Sequence, residues 1–298
     1  MRSAHACWVG LLLSTLTCAV CAAEPCAYNA ERNAELEMAG ISRIVIDAGA
    51  GLLQVTGERA RPMLTVKGNA CAAQKAALDE IELRTRREGE TAYVTAVLPD
   101  HLWNAFDWIA GELALDLVIA VPDNVALEID DSSGSVELRN VGPTKVDDSS
   151  GSLQVSGVNG DLSVDDGSGT VTLREIRGNL TLADGSGSVS VASVTGNVRV
   201  RDDGSGSMTL RDVTGDVVIV RDGSGNIEIA HVGGGVTIGD DGSGSIDIRD
   251  VKQDVTVRDD GSGSIFVADV GGSLNVGDGG SGGIRYERVA GSIRAASD

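Results

Sequence analysis

The stretch "RDDGSGSMTLRDVTGDVVIV" (201–220) contains two short runs in which apolar and polar residues alternate. A D-G-S-G sequence precedes the first run, which holds Met208 and Leu210. A V-x-G sequence separates it from the second, which holds Val217 and Ile219. Alternation with a period of two is typical of strands that bury one face, and glycine-rich segments between strands are typical of turns. This stretch therefore predicts two short strands joined by two corners.

The same pattern recurs along most of the chain. The second glycine of the corner is spaced by 17, 18 and 18 residues and then by 19, at Gly134, Gly151, Gly169, Gly187, Gly206, Gly225, Gly244, Gly263 and Gly282. Near-equal spacing over so many turns indicates coils that pair with the coils on either side. The sequence therefore predicts an all-β fold, a single-stranded β-solenoid with coils of about 19 residues. The usual chirality of crossovers makes it a right-handed parallel β-helix.

The repeats divide the chain into three parts. We interpret residues 1–23 as a signal peptide, 24–125 as an N-terminal β-rich capping region, and 126–298 as a solenoid of about nine coils. The capping region contains a degenerate first coil, because "IDAGAGLLQVTG" (46–57) matches "VDDSSGSLQVSG" (146–157) almost position by position. It also contains a short amphipathic helix, predicted over 101–111.

The N-terminus has the pattern of an export signal. A positive charge at Arg2 is followed by a short apolar core over 7–20 and by small residues that fit cleavage after Ala22 or Ala23. No later apolar run is long enough to cross a bilayer, so the mature chain is predicted to have no transmembrane segment. Lipidation at Cys18 or Cys21 is the alternative to cleavage into a soluble chain. We expect a periplasmic, outer-envelope-associated or secreted protein.

Cleavage leaves two cysteines, Cys26 and Cys71. An even pair in an oxidising compartment predicts a disulfide, which would tie the new N-terminus to the first folded region. Two separate buried thiols are the alternative.

The charge balance narrows the classes of partner. The chain carries 44 acidic and 24 basic residues, a net charge of −20. Such a chain lacks the basic stripe that nucleic-acid binding requires, and it attracts cations or cationic partners instead. We therefore expect an envelope or surface component, protein or glycan, as the partner.

The repeats resemble those of a bacterial family of exported β-helix domains known as "putative adhesins". Members of that family carry D-G-S-G-x-ϕ-x-ϕ-x-x-V-x-G repeats, in which ϕ is apolar, and the resemblance covers residues 40–296. It implies a β-helix fold and a location in the envelope. It supplies no catalytic residues, because the family has none that are established.

Acidic residues precede nearly every corner. One column of them is a candidate calcium ladder and consists of Asp131, Asp148, Asp166, Asp184, Asp203, Asp222, Asp241 and Asp260. Stacked carboxylates repel one another, and calcium accepts several oxygen ligands in flexible geometry. The competing interpretation is turn chemistry, in which each Asp accepts the N–H two residues on. No other cofactor is predicted.

Large aromatic residues cluster in one segment, at Trp103, Phe106 and Trp108. They are predicted either to close the N-terminal end of the rod or to contact a partner. The sequence contains no recognisable nucleophile or phosphate-binding motif, and it predicts no enzyme. We expect an adhesin-like binding or scaffold module of the cell envelope. The alternatives are a calcium-stabilised structural rod and a β-helix polysaccharide lyase or hydrolase.

Overall fold

Two parallel ladders of short strands carry the buried side chains of the molecule. The structure is a computed structural model that describes residues 26–99 and 113–295. Strands β2 (Arg43–Glu58) and β7 (Ala126–Val141) contribute to both ladders. The first ladder, layer A, continues through β8 (Thr144–Asp148), β10 (Leu162–Asp166), β12 (Leu180–Asp184), β14 (Val198–Asp203), β16 (Val217–Asp222), β18 (Val236–Asp241), β20 (Val255–Asp260), β22 (Leu274–Asp278) and β24 (Ile293–Ala295).

The second ladder, layer B, alternates with layer A along the chain. It continues through β9 (Gly151–Val158), β11 (Gly169–Ile176), β13 (Gly187–Val194), β15 (Met208–Val213), β17 (Ile227–Val232), β19 (Ile246–Val251), β21 (Ile265–Val270) and β23 (Ile284–Val289). Each strand pairs in parallel with its equivalent in the next coil, as β17 does with β19 from Ile227↔Ile246 to Val232↔Val251. The predicted β-solenoid with coils of about 19 residues is confirmed.

The core is built from the apolar positions of both layers. In a typical coil Val217 and Ile219 of layer A and Ile227 and Ile229 of layer B are fully buried. They belong to one apolar cluster that runs through the solenoid. Burial of each such side chain contributes about 1.5–3 kcal/mol, and branched side chains suit a pleated surface that packs on one face.

The N-terminal region extends the first coil with antiparallel strands. Its elements are β1 (Tyr28–Glu37), β3 (Met63–Ala72), α1 (Lys75–Glu80), β4 (Glu82–Glu88), β5 (Thr91–Val97) and β6 (Leu113–Pro122). Strand β2 lies in parallel on β7, and β5 and β6 lie on the other side of β2. Antiparallel β4 continues from β5, and β3 followed by β1 continues from β6. A disulfide joins Cys26 to Cys71, whose Cα atoms are 5.5 Å apart.

The change in repeat length has a local cause. Between β12 and β14, Leu182 pairs with Val200 whereas Ala183 pairs with Asp202, so Arg201 has no partner in β12. This extra residue is a β-bulge, and it lengthens the coil from 18 to 19 residues. Because the bulge absorbs one residue, Asp203 still lies opposite Asp184.

A ladder of polar side chains holds the V-x-G corner, and the sequence analysis missed it. The residue after each corner glycine accepts the backbone N–H of its equivalent in the next coil. Asn179 N–H donates to Asp161 Oδ1 at 2.7 Å, Asn197 N–H to Asn179 Oδ1 at 3.0 Å, and Asp216 N–H to Asn197 Oδ1 at 2.9 Å. The Asp or Asn that follows the glycine in these coils was the signal for it.

One rung of this corner ladder lacks a side chain. Gly235 donates its N–H to Asp216 Oδ1 at 2.8 Å, but it offers no acceptor to the next coil. In Gly235→Asn we expect the new side chain to accept a hydrogen bond from Asp254 N–H and to stabilise the protein by about 1 kcal/mol. That gain corresponds to about 2–4 °C in the thermal midpoint.

The adjacent glycine provides the control for this prediction. At Gly235 an added Cβ lies 3.0 Å from the Asp254 carbonyl oxygen, which must move by a few tenths of an ångström to make room. At Gly234 it would lie 2.2 Å from Asp216 Oδ1 and 2.7 Å from backbone of Gly215, so Gly234→Asn should destabilise. Equal midpoints for the two variants would contradict the corner ladder.

Candidate functional site

The candidate calcium ligands form a column inside the solenoid, which we call the inner Asp column. It consists of Asp131, Asp148, Asp166, Asp184, Asp203, Asp222, Asp241 and Asp260, each between 1% and 4% exposed. Strand pairing stacks them directly, from Asp131↔Asp148 to Asp241↔Asp260. In the shorter coils they point inward because they are in phase with the buried apolar residues of their strand, as in Leu162, Val164 and Asp166. In the longer coils Asp203 and its equivalents are buried one position later along the strand.

Most carboxyl oxygens of the inner Asp column lack a hydrogen bond. Ser150 N–H donates to Asp148 Oδ1 at 3.1 Å, as the turn-chemistry interpretation expects. Oδ2 of Asp131, Oδ2 of Asp148 and both oxygens of the other six residues are buried without a partner among the described residues. An ionised carboxylate in that position costs several kcal/mol. The column therefore needs protons or cations.

Burial raises the pKa values along the inner Asp column. The pKa reaches about 7 at Asp131, Asp166 and Asp241, mainly because burial removes water from each carboxyl group. Repulsion from neighbouring Asp residues raises it further, as do the hydrogen bonds that protonated Asp166 and Asp241 donate to Asp184 and Asp222. Burial and repulsion also raise the pKa to about 6 at Asp203, Asp222 and Asp260. The pKa values of Asp148 and Asp184 are also raised, mainly by burial. Several rungs therefore carry protons near neutral pH.

A second acidic column lies on the outside of layer A, and we call it the outer Asp column. It contains Asp130, Asp147, Asp165, Asp202, Asp240, Asp259 and Asp278, all exposed. Arg201 contacts Asp165 at 2.7 Å and Arg221 contacts Asp202 at 3.0 Å. The two acidic columns thus point to opposite sides of layer A, which the sequence left open.

The predicted calcium ladder stays a prediction. Within residues 26–99 and 113–295, no group of three or more His, Cys, Asp or Glu side chains surrounds a common point that suits a metal ion. Calcium takes six to eight oxygen ligands, whereas a proton shared between two stacked carboxyl groups needs no further ligand. Protons and calcium are therefore the two alternatives to be tested for the inner Asp column.

A single amide substitution tests the charge state of the inner Asp column. We expect Asp222→Asn to stabilise the protein at pH 8 by about 1–2 kcal/mol, because the amide cannot ionise and removes repulsion from the adjacent rungs. The exposed Asp240→Asn change should alter stability by less than about 0.5 kcal/mol. Urea unfolding at pH 8 measures both. A marked loss of stability for Asp222→Asn alone would show that the carboxylate is held by a cation.

The outer face of layer B carries two shallow depressions. The first has a volume of about 500 Å³ and lies between Arg139 and Arg174, with Gln154, Ser156 and Thr172 in its lining. The second, of about 540 Å³, lies near the other end, between Arg249 and Arg285. Phe266 lies between those two arginines, whose guanidinium carbons are 4.9 and 5.7 Å from its ring centre.

The remaining candidates are less well defined. Trp103, Phe106 and Trp108 lie outside the described residues, so both interpretations of the aromatic segment stay predictions. His231 Nδ1 lies 3.1 Å from Asp212 Oδ1 on the exposed side of layer B. Among the described residues, no helix is both long and apolar enough to cross a membrane.

Comparisons with known proteins find likeness in structure alone. No protein-family model matches the sequence, and no curated protein matches it. A "putative adhesin" from Parabacteroides distasonis ATCC 8503 is 12% identical with a TM-score of 0.43, over 86% of this chain and 97% of that one. A "putative lipid binding protein" from the same organism is 16% identical with a TM-score of 0.41, over 89% and 96%. A "putative cell adhesion protein" from Clostridium sporogenes ATCC 15579 is 12% identical with a TM-score of 0.29, over 87% and 99%.

Identities of 16% or less say nothing about what this chain binds.

Proposed function

We propose that this chain is an exported binding or scaffold module of the bacterial cell envelope, without catalytic activity. The observation that carries the proposal is the outer face of layer B. Strands in uniform register hold its side chains in place, and the two depressions on it are each bordered by arginines. Side chains fixed on strands give a preorganised surface, which limits the entropy lost on binding.

Two features support export. The first 23 residues have the pattern of a signal peptide, and Cys26 and Cys71 are joined as expected for an oxidising compartment. The net charge of −20 keeps such a rod from self-association. A calcium-stabilised rod is the second candidate function, favoured by the unpartnered carboxyl oxygens of the inner Asp column.

Export is tested by producing the full chain with a C-terminal tag in a bacterium that has a periplasm. We expect a mature chain that begins at Ala23 or Glu24, recovered outside the cytoplasm with Cys26 and Cys71 oxidised. Intact mass before and after reduction measures both features. A chain that starts at Glu24 behind a new Met is the control and should stay inside. Uncleaved full chain in the cytoplasm would overturn the proposal.

Binding is tested by sedimentation of the purified mature chain with washed cell envelopes. We expect saturable co-sedimentation and no release of soluble sugar from the envelopes over time. Sugar release that disappears in an outer-column Asp variant would favour the lyase or hydrolase alternative. No co-sedimentation with any envelope fraction would contradict the binding role.

A further inference from the structure

Arginines alternate with small residues along the middle of layer B. Strand pairing places one position of successive coils in a single outward column, which reads Arg139, Ser156, Arg174, Ala192, Arg211, Ala230, Arg249, Ala268 and Glu287. We call the four arginines the Arg column. All four are exposed, whereas Ala192 and Ala230 are partly covered and Ala268 is buried. The small residues are therefore the floor between raised cationic side chains.

The spacing of the Arg column is regular. Adjacent coils are separated by about 4.8 Å, so arginines two coils apart repeat at about 10 Å. The first depression on this face lies across one such interval, between Arg139 and Arg174 over Ser156. Gln154, Thr172, Asn140 and Glu137 also line it, so hydroxyl and amide groups and one carboxylate surround the two guanidinium groups.

Stabilising ion pairs do not account for this arrangement. Opposite charges directly across adjacent strands stabilise a sheet, yet the rungs between the arginines carry Ser or Ala. Arg139 and Arg249 contact acids two residues earlier in their own strands, Glu137 and Asp247, and Arg211 contacts Glu228 of the next coil. Such exposed pairs contribute at most about 1 kcal/mol each, so a ligand can displace them. Arg174 takes part in no ion pair among the described residues.

The chemistry of the face selects an anionic, hydroxylated polymer. Guanidinium groups bind carboxylate or sulfate through two parallel hydrogen bonds, and evenly spaced cations favour a ligand with evenly spaced anions. The polar floor of the first depression suits sugar hydroxyls, and the face offers few apolar side chains for a peptide. The two Asp columns belong to layer A. Layer B also carries acids, and Glu137, Glu228 and Asp247 among them pair with arginines of the Arg column. At physiological ionic strength charges more than about 8 Å apart are largely screened.

We propose that the outer face of layer B binds an extended acidic polysaccharide along the Arg column, with one anionic group at each interval of about 10 Å. This inference rests on the proposed binding function and names its ligand class. Polygalacturonate, which carries only carboxylates, and heparin, which also carries sulfates, are the two probes. Dextran is the uncharged control.

The decisive variants change four arginines on one face at a time. Variant B replaces Arg139, Arg174, Arg211 and Arg249 by Ala. Variant A replaces four exposed arginines of layer A, namely Arg199, Arg201, Arg221 and Arg258. Both variants lower the net charge by the same amount, so the global repulsion of the polymer is matched. Circular dichroism and thermal midpoints show whether each still folds.

Binding is measured by biolayer interferometry on immobilised polymer in 0.15 M salt. We expect variant B to lose at least about 30-fold in affinity for one or both acidic polymers, and variant A to lose less than about threefold. Restoring Arg174 alone in variant B should recover part of the loss. Equal losses in the two variants would overturn the proposal, because only net charge would then matter.

The outcome also separates this inference from the proposed function. If the mature chain co-sediments with envelopes but binds neither acidic polymer, the polysaccharide assignment fails and the binding module stands. If the chain binds neither envelopes nor polymers, both fail. Binding to dextran that equals binding to heparin overturns the role of the Arg column.

Discussion

We expect the thermal midpoint to be higher at pH 5 than at pH 8 by roughly 10 °C or more. The inner Asp column has pKa values raised to about 6 or 7 at six positions, such as Asp166 and Asp222. Unfolded Asp titrates near 3.9, so between about pH 4 and 7 the folded state binds more protons than the unfolded state. Stability therefore falls as pH rises through this window. The contribution of the inner Asp column to stability is largest below about pH 4.

The size of the effect follows from the number of rungs. One pKa unit corresponds to about 1.4 kcal/mol for one group. The rungs are coupled, so their contributions do not simply add. Even so, six raised carboxyl groups give a total on the order of several kcal/mol between pH 5 and 8. Most proteins lose stability on acidification because their paired carboxylates become protonated, and this solenoid should do the opposite over the same range.

At pH 5 a lower net negative charge also relieves general charge repulsion, which raises the thermal midpoint in the same direction. This effect needs a control. A triple inner variant with Asp203, Asp222 and Asp241 replaced by Asn should show a much smaller difference between pH 5 and 8. A triple outer variant with Asp202, Asp240 and Asp259 replaced by Asn changes the formal charge equally and should retain the difference. Differential scanning calorimetry, in buffers that bind metal ions only weakly, measures the thermal midpoints. A midpoint that rises from pH 5 to 8 would contradict protonation of the column.

Calcium provides the other critical comparison. If protons satisfy the inner Asp column, millimolar calcium at pH 8 should shift the midpoint no more than magnesium does. A large shift that calcium alone produces would support the calcium ladder and overturn the protonated one. The outer Asp column is exposed. We therefore expect calcium and magnesium to have weak and similar effects on the midpoint through this column.

The repeat made the fold predictable from the sequence. The burial of the inner Asp column was less predictable, because it depends on local backbone geometry. Apolar residues recur with the same period in every coil, and only a solenoid keeps that register. The burial of Asp was partly visible, because Val164 and Asp166 are two residues apart and share a face. In the longer coils Asp203 comes three positions after Val200, which breaks the period-two pattern. Only the bulge at Arg201 restores the phase, and sequence alone does not place a bulge.

A column of residues with left-handed backbone was also not predicted from the sequence. The residue before each V-x-G valine has a left-handed backbone in coil after coil, with φ of 57° at Glu175 and 57° at Asp212. Glycine, Asn, Asp and His favour such a conformation. Asn140, Asp212 and His231 fit this preference, whereas Glu175, Ser193 and Arg288 in the same column do not. The regular pairing on either side, as from Val191↔Leu210 to Val194↔Val213, imposes the conformation on whatever residue is there.

The second glycine of each corner should be the least replaceable residue of the solenoid. At Gly225 the backbone has φ of 144°, which L-residues rarely adopt, and an added Cβ would lie 1.4 Å from the carbonyl oxygen of Gly206. We expect Gly225→Ala to cost at least about 4 kcal/mol. The overlap is with backbone, so no side-chain rearrangement relieves it. The coils on either side must separate or the corner must unfold.

Gly283→Ala is the matched control, because nothing lies within 4 Å of a Cβ at that position. It should change stability by less than about 0.5 kcal/mol. Urea unfolding measures both variants, and limited proteolysis should place new cleavage near residues 204–226 in Gly225→Ala alone. Each coil of a solenoid contacts only its neighbours, so the damage should begin at this corner and spread along the rod. Stability within 1 kcal/mol of the parent would mean that the corner can adopt a second backbone path. In that case the spacing of the coils would be set by the apolar core and not by glycine.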